Sequence, residues 1–169
     1  SFNDAIFKLI GADYVTIRNF TMQENVANTT TTAATNNMTE WGIALLRASQ
    51  TNGAKNNFIF NNDIALNRGY RNTFGIYSNV MHVPATPYIS QDITSIVGSN
   101  SGDTIQNNTI SNVANGIVFI GSSTAAFMDN GTDIGGSSSF TGNTITNFGA
   151  NAVSNVSYAS FSGKSSGVE

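Results

Sequence analysis

Four times along the chain one six-residue pattern returns: Ile17-Arg-Asn-Phe-Thr-Met22, Ile59-Phe-Asn-Asn-Asp-Ile64, Ile105-Gln-Asn-Asn-Thr-Ile110 and Phe140-Thr-Gly-Asn-Thr-Ile145. Each reads apolar, any, Asn or Gly, any, Thr or Asp, apolar. A second apolar element alternates with it: Ala5 to Ile10, Gly42 to Leu46, Gly75 to Tyr77, Gly116 to Ile120, and Asn151 to Val153. Recurrence of this kind is the mark of a chain built from stacked units, each burying its apolar face against the next.

The apolar runs are short, β-branched and fenced by Gly and Asn, so they suit strands better than helices. A sandwich or barrel would join neighbouring strands by hairpin turns. Asn-Gly pairs at 52–53, 115–116 and 130–131 leave that as the lesser option. A solenoid accounts for more. In a parallel β-solenoid, inward side chains form columns from coil to coil, and corners repeat with them. Asn suits a corner because it tolerates left-handed backbone angles and its amide can bond the Asn one coil away. Asn61, Asn62, Asn107, Asn108 and Asn143 are therefore assigned as corner and ladder residues. The spacing between elements varies, and the excess falls in three polar segments, about 26–40, 80–100 and 124–139, which are expected to loop out of the stack.

Composition restricts the rest. The chain has 169 residues, enough for one domain with a core, and only 10% are charged where about 25% is usual. Asn, Thr, Ser and Gly fill the gap, yet Ile, Val, Phe and Tyr are too plentiful for a disordered tract. A net charge of -3 gives no basic footprint, so nucleic acid is not an expected partner. No stretch is long and apolar enough for a transmembrane helix, so no membrane insertion is expected. With no cysteine there is no disulfide, thiolate metal site or catalytic thiol.

The units Asn107 to Asn112 (NNTISN), Gly142 to Asn147 (GNTITN) and Asn115 to Ile120 (NGIVFI) resemble repeats of the right-handed parallel β-helix superfamily, the pectate-lyase-like fold. The longer strings DYVTIRNFTM and GIALLRASQTNGAKNNFIFNNDIALNRGYRNTFGIYSN are similar to large secreted β-helix proteins of Bacteroidota. The resemblance implies an all-β, right-handed parallel β-helix and a secreted or cell-surface location. It does not imply an activity, because that superfamily holds lyases, hydrolases, phage tailspikes and noncatalytic surface proteins. Neither end reads as an amphipathic helical cap, and residues 157–169 look like the start of another coil. The expected partners are accordingly further coils or other chains at the solenoid ends.

Hydrolysis on such a scaffold needs clustered carboxylates. The ten Asp and Glu residues include no Asp-Asp pair, and Asp63 occupies the repeat position taken by Thr109 and Thr144. Lyase chemistry needs a basic group beside a neutralised uronate. Arg68, Tyr70 and Arg71, with His82 in the following insertion, are the candidates for binding an acidic sugar. Glu40 and Trp41 are a second candidate, offering a ring face and a hydroxyl partner to a polysaccharide. For each of these, loop or core packing is the plainer assignment. Asp129-Asn-Gly-Thr-Asp133 has closely spaced oxygens but not the calcium-loop pattern, so a side-chain-stabilised turn is preferred, and no metal or cofactor is assigned. Several Asn-x-Ser/Thr triplets follow from composition and are not read as glycosylation sites. The expected role is a noncatalytic structural or adhesive segment, with a polysaccharide-binding or lyase module as the alternative.

Overall fold

The computed structural model describes residues 4–31, 35–82 and 91–149. Among these residues twelve short strands follow one another: β1 (Ala5–Ile10), β2 (Thr16–Arg18), β3 (Thr21–Gln23), β4 (Trp41–Leu46), β5 (Phe58–Phe60), β6 (Asp63–Ala65), β7 (Phe74–Asn79), β8 (Thr104–Gln106), β9 (Thr109–Ser111), β10 (Asn115–Ile120), β11 (Asp133–Ile134) and β12 (Thr144–Thr146). Every third strand pairs in parallel with the next, giving sheets β1-β4-β7-β10, β2-β5-β8-β11 and β3-β6-β9-β12. Coils 1 to 4, of three strands each, thus stack as a parallel β-helix. Two single 3-10 turns, Ile96–Gly98 and Ala125–Phe127, lie in the second and third insertions.

The six-residue pattern spans two strands and the corner between them, so a coil has three strands where the sequence pattern suggested two. Ile17, Ile59, Ile105 and Ile134 face one another down the middle sheet. Met22, Ile64, Ile110 and Ile145 do the same down the third. With Leu9, Leu45, Ile43, Ile76 and Ile117 of the first sheet, all of these but Ile134, which is 37% exposed, fill the interior. Each fully buried Ile or Leu contributes about 2–3 kcal/mol.

The fourth repeat departs from the pattern. Phe140, expected in the column, is 86% exposed, and Ile134 takes the place opposite Ile105. After Ile134 the chain turns through Gly135 and Gly136 at φ 94° and 64°, so a loop replaces the tight corner and the column is filled from earlier in the sequence. Part of the third insertion is therefore sheet. The expected element at 151–153 and the coil start at 157–169 lie outside the described residues.

Corner geometry explains the asparagines. Asn19, Asn61 and Asn107 sit at φ 63°, 54° and 54°, where a side chain with a Cβ costs about 1–2 kcal/mol unless it can bond locally. The last two pass an amide to the coil before: Asn61 Nδ2 donates to Asn19 Oδ1 at 2.8 Å and Asn107 Nδ2 to Asn61 Oδ1 at 3.0 Å. The next residue points inward. Asn62 N–H and Nδ2 donate to Asn108 Oδ1 at 3.0 and 2.9 Å, and Asn108 N–H and Nδ2 donate to Asn143 Oδ1 at 3.0 Å each. Two amide ladders, one at the surface and one buried, thus run along the same corner.

In its two middle strands, β4 and β7, the first sheet is buried on both faces. Its inner face joins the core, while Trp41, Ala44, Leu46, Phe74, Tyr77 and Val118 form a second apolar cluster. His82 of the second insertion packs there against Trp41 and Tyr77, and Asn36 and Met38 of the first insertion are buried as well. The strands reach the corner through Gly42 and Gly75, because a Cβ on Gly75 would stand 2.4 Å from Ile110 Cγ2 and 2.7 Å from Gly116 O.

Candidate functional site

Glu40 ends the first insertion. Its backbone N–H and that of Trp41 donate to Asp4 O at 3.0 Å each, and its carbonyl accepts from Phe74 N–H at 2.7 Å, which locks the residue at the entrance to β4. The carboxylate turns inward. Oε2 accepts from Asp4 N–H at 2.8 Å, and Oε1 accepts from Asn36 Nδ2 at 2.6 Å and Tyr70 OH at 2.9 Å. Glu40 and Tyr70 have no exposed surface.

Burial raises the Glu40 carboxyl to about 7 against its three hydrogen bonds, with the nearby Asp4 charge adding to the rise. Tyr70 is driven far above its ordinary range by burial and then by Glu40, so its hydroxyl stays a proton donor. The turn that delivers Tyr70 is built locally. Asn67 Oδ1 accepts from Gly69 N–H at 2.9 Å, Asn67 O accepts from Tyr70 N–H at 2.9 Å, and Thr73 Oγ1 donates to Tyr70 O at 2.9 Å.

Trp41, the next residue, joins a different group. Its ring stacks on Tyr77 at 5.2 Å and 4°, and the His82 ring meets it edge-on at 5.1 Å. Lys8 Nζ lies 5.7 Å from the Trp41 ring centroid, a cation–π distance. Trp41 and His82 are fully buried. His82 is lowered to about 4 by burial and then by the Lys8 charge, so its imidazole is neutral near pH 7. The Tyr77 hydroxyl lies 3.4 Å from His82 Nδ1 and accepts from Asn79 Nδ2 at 2.7 Å.

Of the six nominated residues, then, Glu40 and Tyr70 share a hydrogen bond, and Trp41 and His82 share a ring contact. Arg68 is half-buried and bonds Asn147 Oδ1 of coil 4. Arg71 is half-buried, and its carbonyl accepts from Asn115 Nδ2 at 3.5 Å. Glu40 and Trp41 turn no free surface outward, so neither ring face nor carboxylate is open to a sugar in this conformation. Asn36, Tyr77 and Lys8 complete these groups and have no signal of their own in the sequence. Only the register, which places Tyr77 opposite Ala44 in the strand of Trp41, brings its ring near.

The Asp129-to-Asp133 turn uses its carboxylates separately. Asp129 Oδ1 accepts from Asn100 N–H at 2.8 Å, while Asp133 accepts from Gly136 N–H and Gln106 Nε2 at 2.8 Å each. Among the described residues no group of three or more His, Cys, Asp or Glu side chains is placed to hold a metal ion. No described helix is long and apolar enough to cross a membrane. An open cavity of about 510 Å³ lies at coil 4, lined by Phe119, Ser122, Met128, Asp129, Thr132 and Ile134 among others, and none of the six nominated residues lines it. Asp63 stacks between Thr21 and Thr109 on an exposed strand position, with no carboxylate beside it in the column.

Comparison with protein-family models, with curated proteins and with solved structures finds no match to this chain.

Proposed function

We propose that the chain is a noncatalytic, extracellular structural or adhesive segment of a bacterial surface or secreted protein, of the pectate-lyase-like kind found in Bacteroidota. It would stack end to end with further coils or other chains and hold its insertions out sideways for recognition. The observation that carries this reading is the fate of the chemically capable residues: Glu40, Trp41, Tyr70 and His82 are spent on fastening the insertions to the first sheet. A rigid stack is what remains for function. The mode of association it would use is the one the chain already makes with itself three times, strand on strand in register. Ile10, Tyr14 and Phe20, at 42%, 79% and 48% exposure, lie in coil 1, where β1, β2 and β3 each have a neighbour on one side only.

The alternative, a polysaccharide-binding or lyase module, needs the Trp41 ring and the Glu40 carboxylate to be reachable. It ranks second because both are buried.

Light scattering and electron microscopy across a concentration series test the proposal. The expected result is filaments or oligomers that shorten when Ile10→Lys and Tyr14→Lys are introduced together. A species that stays monomeric at every concentration would overturn the stacking. Quenching of the single tryptophan by acrylamide, with a shift of its emission on adding an acidic polysaccharide, would overturn the ranking of the two readings.

A further inference from the structure

The buried ladders obey a rule that two positions break. In each ladder the backbone N–H of one coil donates to a side-chain Oδ1 of the next coil. One ladder runs Phe20 N–H to Asn62, Asn62 to Asn108 and Asn108 to Asn143, at 3.0–3.2 Å. A second runs Val15 N–H to Asn57 at 3.0 Å and Asn57 N–H to Asp103 at 2.8 Å. A third runs Ala54 N–H to Asn100 and Asn100 N–H to Asp129, both at 2.8 Å.

The other side-chain atom is equally regular wherever the residue is Asn. Asn57 Nδ2 donates to Ala12 O, Asn62 to Ile17 O, Asn100 to Leu45 O, Asn108 to Ile59 O and Asn143 to Ile105 O, at 2.8–3.0 Å. In all five, the amide returns to a carbonyl of the coil before. At Asp103 and Asp129 an oxygen occupies the place of that amide. Both Oδ2 atoms are buried and have no hydrogen-bond partner, and Asp103 has no exposed surface at all. A buried ionised oxygen without a donor is uncompensated, whereas a protonated one is itself a donor, as the amide is at the five asparagines.

We propose that Asp103 and Asp129 act as protonated stand-ins for asparagine in the buried ladders, and that their ionisation is a pH latch which loosens the junctions joining coils 2, 3 and 4 at this corner. The charged groups that face Asp103 are Asp129 and, from coil 1, Asp13, and both oppose its ionisation. Lys55, beside Asn56 at the same corner, does not neutralise them through its ammonium: its backbone N–H binds Asp13 at 2.8 Å, but its Nζ donates to Val97 O. Burial, more than those charges, raises Asp103 to about 7, and burial also raises Asp129.

The sign follows from linkage. A carboxyl whose folded value lies above its unfolded one gives stability that is complete below the unfolded value and is lost as pH rises through the folded one. For Asp103, raised from 3.8 to about 7, the unfolding equilibrium constant rises on the order of a thousandfold between pH 4 and pH 8.

The test is a carboxyl-carbon NMR titration of the chain labelled at aspartate. One resonance, absent from Asp103→Asn, is expected to move with a midpoint near 7. That midpoint should fall in Asp129→Asn, which removes a facing charge. Denaturant unfolding of Asp103→Asn, which supplies the amide the ladder uses, should show a decline between pH 5 and pH 8 smaller by just under a hundredfold in the unfolding constant, the share of Glu40 remaining. The proposal is overturned if every aspartate titrates below pH 5. It is also overturned if calcium at millimolar concentration raises the thermal midpoint at pH 8 and chelation reverses it, because the pair would then be an ionised cation site.

Discussion

Replacing Asn108 by Ala would separate the two kinds of asparagine at one corner. Asn108 is 1% exposed and its side chain makes contacts in both directions along the stack. Oδ1 accepts from Asn62 N–H and Asn62 Nδ2, and Nδ2 donates to Ile59 O, Gln106 O and Asn143 Oδ1. Truncation leaves the buried Asn62 N–H facing a void and strips a donor from one oxygen on each of three coils. At roughly 1–3 kcal/mol for each buried group left unmet, the loss is about 3–5 kcal/mol, a large part of the stability of a domain this size. Asn107→Ala, one residue away, touches the surface ladder and the backbone at φ 54°, and should cost about 1–2 kcal/mol. Asn107→Gly keeps the left-handed angle and should cost less than Asn107→Ala. Urea unfolding followed by circular dichroism measures all three. If Asn108→Ala proves no more damaging than Asn107→Ala, the buried ladder is ornament and the argument from unmet hydrogen bonds fails.

Gly75→Ala drives a methyl to 2.4 Å from Ile110 Cγ2 and 2.7 Å from Gly116 O, so about 1–3 kcal/mol of stability should be lost, visible as a lower thermal midpoint. A wild-type midpoint would mean that the strand backbones can spread. Glu40, raised from 4.5 to about 7, contributes stability that is whole below pH 4.5 and is lost as pH rises through 7, on the order of 3 kcal/mol; Glu40→Gln should make that limb of the denaturation profile shallower by this amount and leave the share of Asp103. His82 has the opposite sign: lowered from 6.5 to about 4, it gives stability present above pH 6.5 and lost as pH falls through 4. Unfolding of His82→Phe should accordingly lack the acid-side loss, and an unchanged acid limb would show that the imidazole charges without disturbing Trp41.

The sequence by itself determined the coil. Apolar residues at 17, 59 and 105, and again at 22, 64, 110 and 145, had to share columns, because a solenoid makes every unit satisfy the same local geometry and so writes that geometry into each repeat. Asn61 and Asn107 were legible for the same reason: a left-handed corner admits few side chains, and their identity is a local matter. Tertiary structure decided what fills the outer face and which acids are buried. Ile17 lies 42 residues before Ile59, Ile59 lies 46 before Ile105, and Ile105 lies 29 before Ile134, so insertions erase any fixed interval between partners on successive coils. Glu40 meets Asn36 close by but Tyr70 thirty residues on, and Asn57 meets Asp103 across forty-six. The repeat pattern places Phe140 in the column, yet Ile134 pairs opposite Ile105 and the chain then loops out through Gly135 and Gly136. Burial belongs to the whole stack, and with it come the proton affinities of Glu40, His82 and Asp103, because the same carboxyl or imidazole written in the sequence keeps its ordinary value in water and loses it only where the coils exclude solvent.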